Sequence, residues 1–306
     1  MNKLRIIQWY TGEIAGIDPL GVRATNNIDE ILALNADCVL YNPPLERYDE
    51  IIRILASGKN VISIMAGWNP KKHSCYPEIV KACEEGQSSL YGTGLNPGLS
   101  YELALLGSSI CTDVESIYIK TCEPQASLSE VFLETFGFGK TKEELASEAD
   151  ITYSIFKNLL DITDLLCEEL GLPHDGNDFT CEFEPATQDY EGKVIMRKGT
   201  MAGLLVKAST TNGGTPVATI ELRFLLGDEY VRESFLEGRP KQGWIEVDVR
   251  GTPGSRLFHE IYMEDDVIGT WSTGTKAINA IPFVCAAKPG VLSPLDLPLG
   301  RMLKLR

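Results

Sequence analysis

The sequence predicts an α/β chain: a parallel sheet with helices on its faces, followed by an α+β domain with an open antiparallel sheet. Three observations carry the prediction. Up to about residue 110, short apolar runs alternate with helix-like stretches through short loops, the signature of strand–helix–strand crossovers in a parallel sheet. Runs such as Cys38-Val39-Leu40 are continuously apolar, as strands buried on both faces must be. Beyond residue 112 the period changes to two, most cleanly in Ile245-Glu246-Val247-Asp248-Val249-Arg250, where one face is dry and the other wet.

In order along the first part, strands are expected over 4–9, 37–41, 60–65 and 90–93, and helices over 28–34, 48–57, 76–86 and 97–110. The second part predicts strands over 114–122, 179–184, 193–196, 202–208, 217–226 and 244–249. Asn212-Gly213-Gly214 between two of these runs signals a hairpin. One amphipathic helix over 149–170 points Ile151, Ile155, Leu159, Ile162, Leu166 and Leu170 inward and stops at Gly171 and Pro173. Its acids Asp161, Asp164, Glu168 and Glu169 are expected on a solvated face. A last helix over 274–287, with Ala277, Ile281, Val284 and Cys285 as its stripe, is expected to return to the first domain. The domains are therefore expected at 1–112, 113–273 and 274–306.

Composition narrows the function. The 306 residues suit roughly two domains, and 43% hydrophobic residues supply core material for a soluble globular protein. Lysine and arginine number 28 against 43 acids, a net charge of −15, which argues against nucleic acid or an anionic membrane surface as partner. The eight cysteines include no C-x-x-C, and the three histidines no H-x-x-x-H. No metal site is expected, and reduced thiols point to the cytoplasm. Residues 1–9 lack a signal-peptide apolar region, and no window approaches the roughly 18 apolar residues of a membrane span.

The first strand runs into Tyr10-Thr11-Gly12-Glu13-Ile14-Ala15-Gly16. A glycine turn at a strand end is where backbone N–H groups can face a pyrophosphate. The spacing departs from G-x-G-x-x-G, with Tyr10 and Ala15 at two of the three glycine positions, so a plain strand-end turn competes with a nucleotide loop. Further segments follow in order: Asp37-Cys38-Val39-Leu40-Tyr41-Asn42-Pro43-Pro44, Gly58-Lys59-Asn60-Val61-Ile62-Ser63, Gly92-Thr93-Gly94-Leu95-Asn96-Pro97-Gly98, Phe136-Gly137-Phe138-Gly139, Ala277-Ile278-Asn279-Ala280-Ile281-Pro282 and Pro294-Leu295-Asp296-Leu297-Pro298. Together they resemble the NAD(P)-dependent dihydrodipicolinate-reductase-like family, within it the 2,4-diaminopentanoate dehydrogenases and native amine dehydrogenases. The segment from Gly92 to Gly98 is the most specific part.

The resemblance implies a Rossmann-like first domain, NAD or NADP as cofactor, and hydride transfer to or from an amine, imine or ketone carbon of a small molecule. It assigns the proton to Glu102, one turn into the helix after the glycine-rich loop. A carboxylate there accepts a proton from ammonium or gives one to a departing hydroxyl; the plain alternative is a first-turn glutamate favoured by the helix dipole. Cofactor contacts are expected from Thr11, Gly12, Ile14, Tyr41, Pro43, Gly92, Thr93, Gly94 and Asn96, with glycines where backbone must approach the ring closely. Tyr101, Phe136 and Phe138 are the aromatic candidates for a substrate pocket, with simple core as their alternative. A pair of His73 and Cys75 as nucleophile is rejected, since nearness in sequence is not the geometry required.

One departure from the family stands out. A nucleotide-binding half needs strand, turn, helix, second strand and a ribose-reading residue about 20 positions on. Here Gly12, Gly16, Pro19 and Gly21 leave no room for that helix before Val22. Roughly 40 residues holding the first helix and second strand are missing relative to this plan. A cofactor-free binding or regulatory protein is therefore the rival reading. A lysine-pathway reductase ranks lower, because Lys71-Lys72-His73 precedes the Gly92 loop instead of lying in the second domain. An open sheet with one apolar face to cover implies a homodimer or homotetramer.

Overall fold

The computed structural model describes residues 3–9, 25, 27–43, 47–239, 243–262, 268–298 and 302. Along the chain run β1 (Ile6–Trp9), α1 (Ile28–Ala33), β2 (Cys38–Tyr41), α2 (Tyr48–Ala56), β3 (Asn60–Ser63), α3 (Tyr76–Gly86), β4 (Ser89–Gly92), α4 (Ser100–Ser108) and β5 (Asp113–Pro124). Then come α5 (Glu130–Phe136), α6 (Lys142–Ser147), α7 (Ala149–Phe156), α8 (Asn158–Leu170), β6 (Gly176–Pro185), β7 (Tyr190–Glu191), β8 (Ile195–Met196), β9 (Met201–Asn212) and β10 (Thr215–Leu225). The chain closes with β11 (Gly243–Thr252), β12 (Ser255–Ile261), α9 (Ile268–Ala286) and β13 (Gly290–Leu292). Two compact units result, Met1–Gly98 with Trp271–Arg306, and Leu99–Thr270.

The first unit is built on a five-stranded, wholly parallel sheet in the order β1-β2-β3-β4-β13. Alternate residues of the same strands feed two cores. Val39, Tyr41, Val61 and Leu90 pack with Ile51, Ile54, Leu55 and Ile79 of α2 and α3. Cys38, Leu40, Ile62 and Tyr91 pack with Ala277, Ile281 and Val284 of α9. Both faces are covered, which is why these strands read as unbroken apolar runs. Gly86 lets α3 close on α2: a Cβ there would lie 1.9 Å from the Leu55 carbonyl oxygen. Among the described residues, β1 has a hydrogen-bonded neighbour on one side only.

The second unit carries a six-stranded sheet in the order β12-β11-β5-β10-β9-β6. The expected antiparallel sheet is corrected here to a mixed one, because β5 and β10 pair in parallel while the other four ladders are antiparallel. The Asn212-Gly213-Gly214 turn does join β9 to β10, with φ of +56° and +76° at its two glycines, the region a tight hairpin demands. The single helix expected over 149–170 is two, α7 and α8. The ladder is interrupted at Lys157, whose carbonyl accepts from the Leu160 N–H three residues on. Asp164 is not on a solvated face: it is 3% exposed and accepts from Thr210 Oγ1 at 2.5 Å and Asn177 Nδ2 at 2.7 Å.

Helical backbone begins at Pro97, as expected, and runs through a wider turn into α4 at Ser100, while Asn96 ahead of it is held extended (φ −130°, ψ 124°), as residues before proline prefer. That helix, α4, packs on β5, β11 and β12. The compact units accordingly divide after Gly98, where the sequence reading placed the boundary at 112. The face of the second sheet shared by Tyr118, Lys120, Glu221, Arg223 and Glu246 is a polar network instead of the apolar surface expected for self-association. Tyr118 Oη donates to Glu221 at 2.5 Å, and Arg223 bonds both Glu221 and Glu237 at 2.6 Å.

Candidate functional site

The carboxyl ends of parallel strands are where open α/β sheets bind ligands, and in the first unit those ends are Trp9, Tyr41, Ser63, Gly92 and Leu292. One buried carboxylate braces the first two. Glu50 Oε2 accepts from Trp9 Nε1 at 3.2 Å and from Tyr41 Oη at 2.8 Å, while Oε1 pairs with Arg47 at 2.8 Å. Tyr41, a candidate cofactor contact, is thus a fully buried core residue whose hydroxyl is committed to Glu50. Pro43 is buried beyond it, and Asn42 Oδ1 accepts from the Ile64 N–H at 3.2 Å, tying the ends of β2 and β3 together. Thr11, Gly12 and Ile14 lie outside the described residues.

The ends of β3 and β4 form the best-defined edge. Ser63 Oγ accepts from the N–H groups of Met65 and Ala66, both at 3.1 Å, turning the chain sharply after β3. That turn runs into Gly67, whose backbone lies so close to Gly92 that a Cβ on Gly92 would sit 2.7 Å from the Gly67 carbonyl carbon. The absence of a side chain at Gly92 is required by this close packing on Gly67; the expected approach of a cofactor ring to Gly92 is a separate matter that this packing leaves open. Gly94, with φ +138°, holds a conformation that side chains rarely adopt, and the next residue, Leu95, donates its N–H to Thr273 Oγ1 of α9 at 3.4 Å. Asn96 is half-buried and extended.

Two polar atoms on this edge stand out. The Thr93 N–H bonds the Ser63 carbonyl at 2.9 Å, yet its Oγ1 is buried with no hydrogen-bond partner among the described residues. Trp68 Nε1 is in the same state. The two residues meet over Gly98, where a Cβ would lie 3.1 Å from Trp68 Cη2 and 3.2 Å from the Thr93 carbonyl carbon. A buried donor left unmade costs about 1–3 kcal/mol, so a pair of them at a strand-end edge fits a ligand-binding role. Trp68 was not singled out in the sequence; its signal is only an aromatic residue in Gly67-Trp68-Asn69-Pro70 just past a strand end.

In the second unit, Glu102 is half-buried in the first turn of α4, beside Tyr101 at 1% exposure. Phe136 and Phe138 are brought together around Phe224, with ring centroids 4.6 and 5.9 Å from it. Phe156 completes the cluster at 5.6 Å from Phe224 and 6.0 Å from Phe136. These rings make an aromatic core within that unit. In the first unit, the His73 and Tyr48 rings lie tilted at 47° with centroids 4.5 Å apart. Among the described residues, no three His, Cys, Asp or Glu side chains are grouped to hold a metal ion, and no helix is long and apolar enough to cross a membrane.

No protein-family model matches the chain. It is 25% identical over 270 residues to the 2,4-diaminopentanoate dehydrogenase of Acetoanaerobium sticklandii, across 83% of this chain and 70% of that protein. Its likeness is to the diaminopentanoate and amine dehydrogenase group. In three dimensions the chain matches the amine dehydrogenase from Mycobacterium smegmatis with a TM-score of 0.73 and 17% identity, over 94% of this chain and 83% of that one. That match gives the fold: a parallel α/β unit with a mixed-sheet second unit, as in that dehydrogenase. The likeness to the diaminopentanoate enzyme runs through the sequence itself, at the level expected of distant relatives.

Proposed function

We propose that this chain is an NAD(P)-dependent oxidoreductase that moves a hydride to or from an amine or imine carbon, or a ketone carbon, of a small molecule. The observation that carries the reading is the loop after β4. It lies at the carboxyl edge of a parallel sheet and holds Gly94 in a glycine-only conformation. It also buries the Thr93 hydroxyl without a partner among the described residues. The sequence likeness to a 2,4-diaminopentanoate dehydrogenase supports the choice of substrate carbon.

The residues on this edge fit the nicotinamide end of the cofactor. Thr93, Gly94 and Asn96 would hold it, with Pro43 and the braced end of β2 beside them. When bound, the nicotinamide supplies or receives the hydride. The buried edge around Gly92 and Gly67 excludes water from the ring side of the loop. Glu102 is assigned the proton: its carboxylate takes one from an ammonium or gives one to a departing hydroxyl.

A second reading, a cofactor-free binding or regulatory protein, has one observation in its favour. Dinucleotides bind where strand order reverses, and among the described residues the sheet runs β1-β2-β3-β4 without a reversal beside β1. Titration with NADH and NADPH, followed by tryptophan fluorescence, separates the two. Saturable quenching by either nucleotide is expected; none up to millimolar concentration would overturn the oxidoreductase reading and leave the second.

A further inference from the structure

We infer that Trp68 is a ligand-contacting residue, its indole N–H and the Thr93 hydroxyl together donating to the carboxamide oxygen of the nicotinamide; this rests on the cofactor reading above. Trp9 is buried and its indole N–H is satisfied by Glu50. Trp244 is buried with its N–H without a hydrogen-bond partner among the described residues, but it lies within β11, where the guanidinium carbons of Arg223 and Arg239 stand 5.8 and 6.0 Å from the ring centroid. Of these three, Trp68 alone combines a place on the strand-end edge, where ligands bind in parallel α/β sheets, with an indole N–H that has no hydrogen-bond partner among the described residues.

The surroundings then define the ligand chemistry. The side-chain donors on offer are neutral: one indole N–H and one hydroxyl. The other residues knit into the same edge, Gly94, Leu95, Gly98 and Thr273, carry no charge. Phosphates and carboxylates are recognised by cations and charge-assisted bonds, so neutral donors suit a neutral acceptor. An amide oxygen has two lone pairs and takes two donors. Gly98 matters because a Cβ there would stand only 3.1 Å from Trp68 Cη2 and 3.2 Å from the Thr93 carbonyl carbon, tighter than ordinary contact. Its missing side chain lets the Trp68 ring and the Thr93 backbone pack together on this edge.

The test is calorimetric titration of the full chain and of Trp68→Phe with NADH, and separately with ADP-ribose, which lacks the nicotinamide. Loss of the indole donor should raise the Kd for NADH by roughly 5- to 10-fold, the size of one hydrogen bond. Affinity for ADP-ribose should not change. Equal NADH affinity in the variant, or a parallel loss for both ligands, would overturn the inference while leaving the cofactor reading intact. Absence of NADH binding by the unaltered chain would instead overturn the cofactor reading, and this inference with it. If Trp68→Phe does not fold, Thr93→Val compared with Thr93→Ser gives the decision through the other donor. Valine should weaken NADH as above and serine restore it, and equal affinities would refute the shared carboxamide contact.

Discussion

Glu102 is the residue at which folding and chemistry come apart. As a first-turn glutamate it interacts with the helix dipole, worth at most about 1 kcal/mol at such a site. Glu102→Gln should therefore melt close to the unaltered protein. If the carboxylate moves the proton, kcat for amine oxidation should drop by roughly 10²- to 10⁴-fold with nucleotide affinity near the original. Unchanged kcat would remove Glu102 from the mechanism. At this scale the sequence was legible where the constraint is local. Gly94 stands in a conformation reserved for glycine, and that could be read from a glycine-rich turn after a strand. The brace of Glu50 on Trp9 and Tyr41 could not, because the partners are 41 and 9 residues away and nothing local marks Glu50 as buried. Tyr41, expected as a cofactor contact from its strand-end position, has its side chain buried in the core. Trp68 was missed for the same reason, since an unpaired indole N–H is visible only once its neighbours are in place.

Among the elements, local signals again did well and pairings did not. The two-residue glycine turn specified the β9–β10 hairpin, and apolar runs marked all four strands from β1 to β4. No alternation pattern distinguishes a parallel neighbour from an antiparallel one, so the β5–β10 pairing was hidden. So was the polarity of the face those strands share. Burial alone would raise the Glu221 carboxyl, but the Tyr118 hydroxyl and the Arg223 guanidinium outweigh it and hold Glu221 below the usual carboxylate range. A carboxyl depressed on folding stabilises the native state above its unfolded pKa, and that contribution disappears as pH falls through the folded value. Thermal melts from neutral to acid pH should show a decline that Glu221→Gln flattens. At neutral pH the same substitution should cost about 1–3 kcal/mol, because Arg223, 4% exposed, loses one of its two charged partners. An undiminished acid dependence in the variant would assign the decline to other carboxylates.

At the scale of the whole molecule, the order of strands carries the tension in the functional reading. A parallel sheet covered on both faces, a glycine-rich loop at its carboxyl edge and a sequence relative that is a diaminopentanoate dehydrogenase all support hydride chemistry. In the sequence, the stretch after the first strand is shorter than the family resemblance leads one to expect, and among the described residues β1 lies at the edge of the sheet. The residues proposed for the nicotinamide end lie among the described residues, and the reaction itself can be examined without locating the adenosine end. The most direct measurement supplies a small diamine deuterated at the carbon bearing the amine, together with NAD⁺ or NADP⁺, and weighs the reduced cofactor. The account predicts reduced nicotinamide heavier by one deuterium, its formation dependent on the protein. No reduced cofactor from either nucleotide across a panel of such amines, with the protein folded, would contradict it.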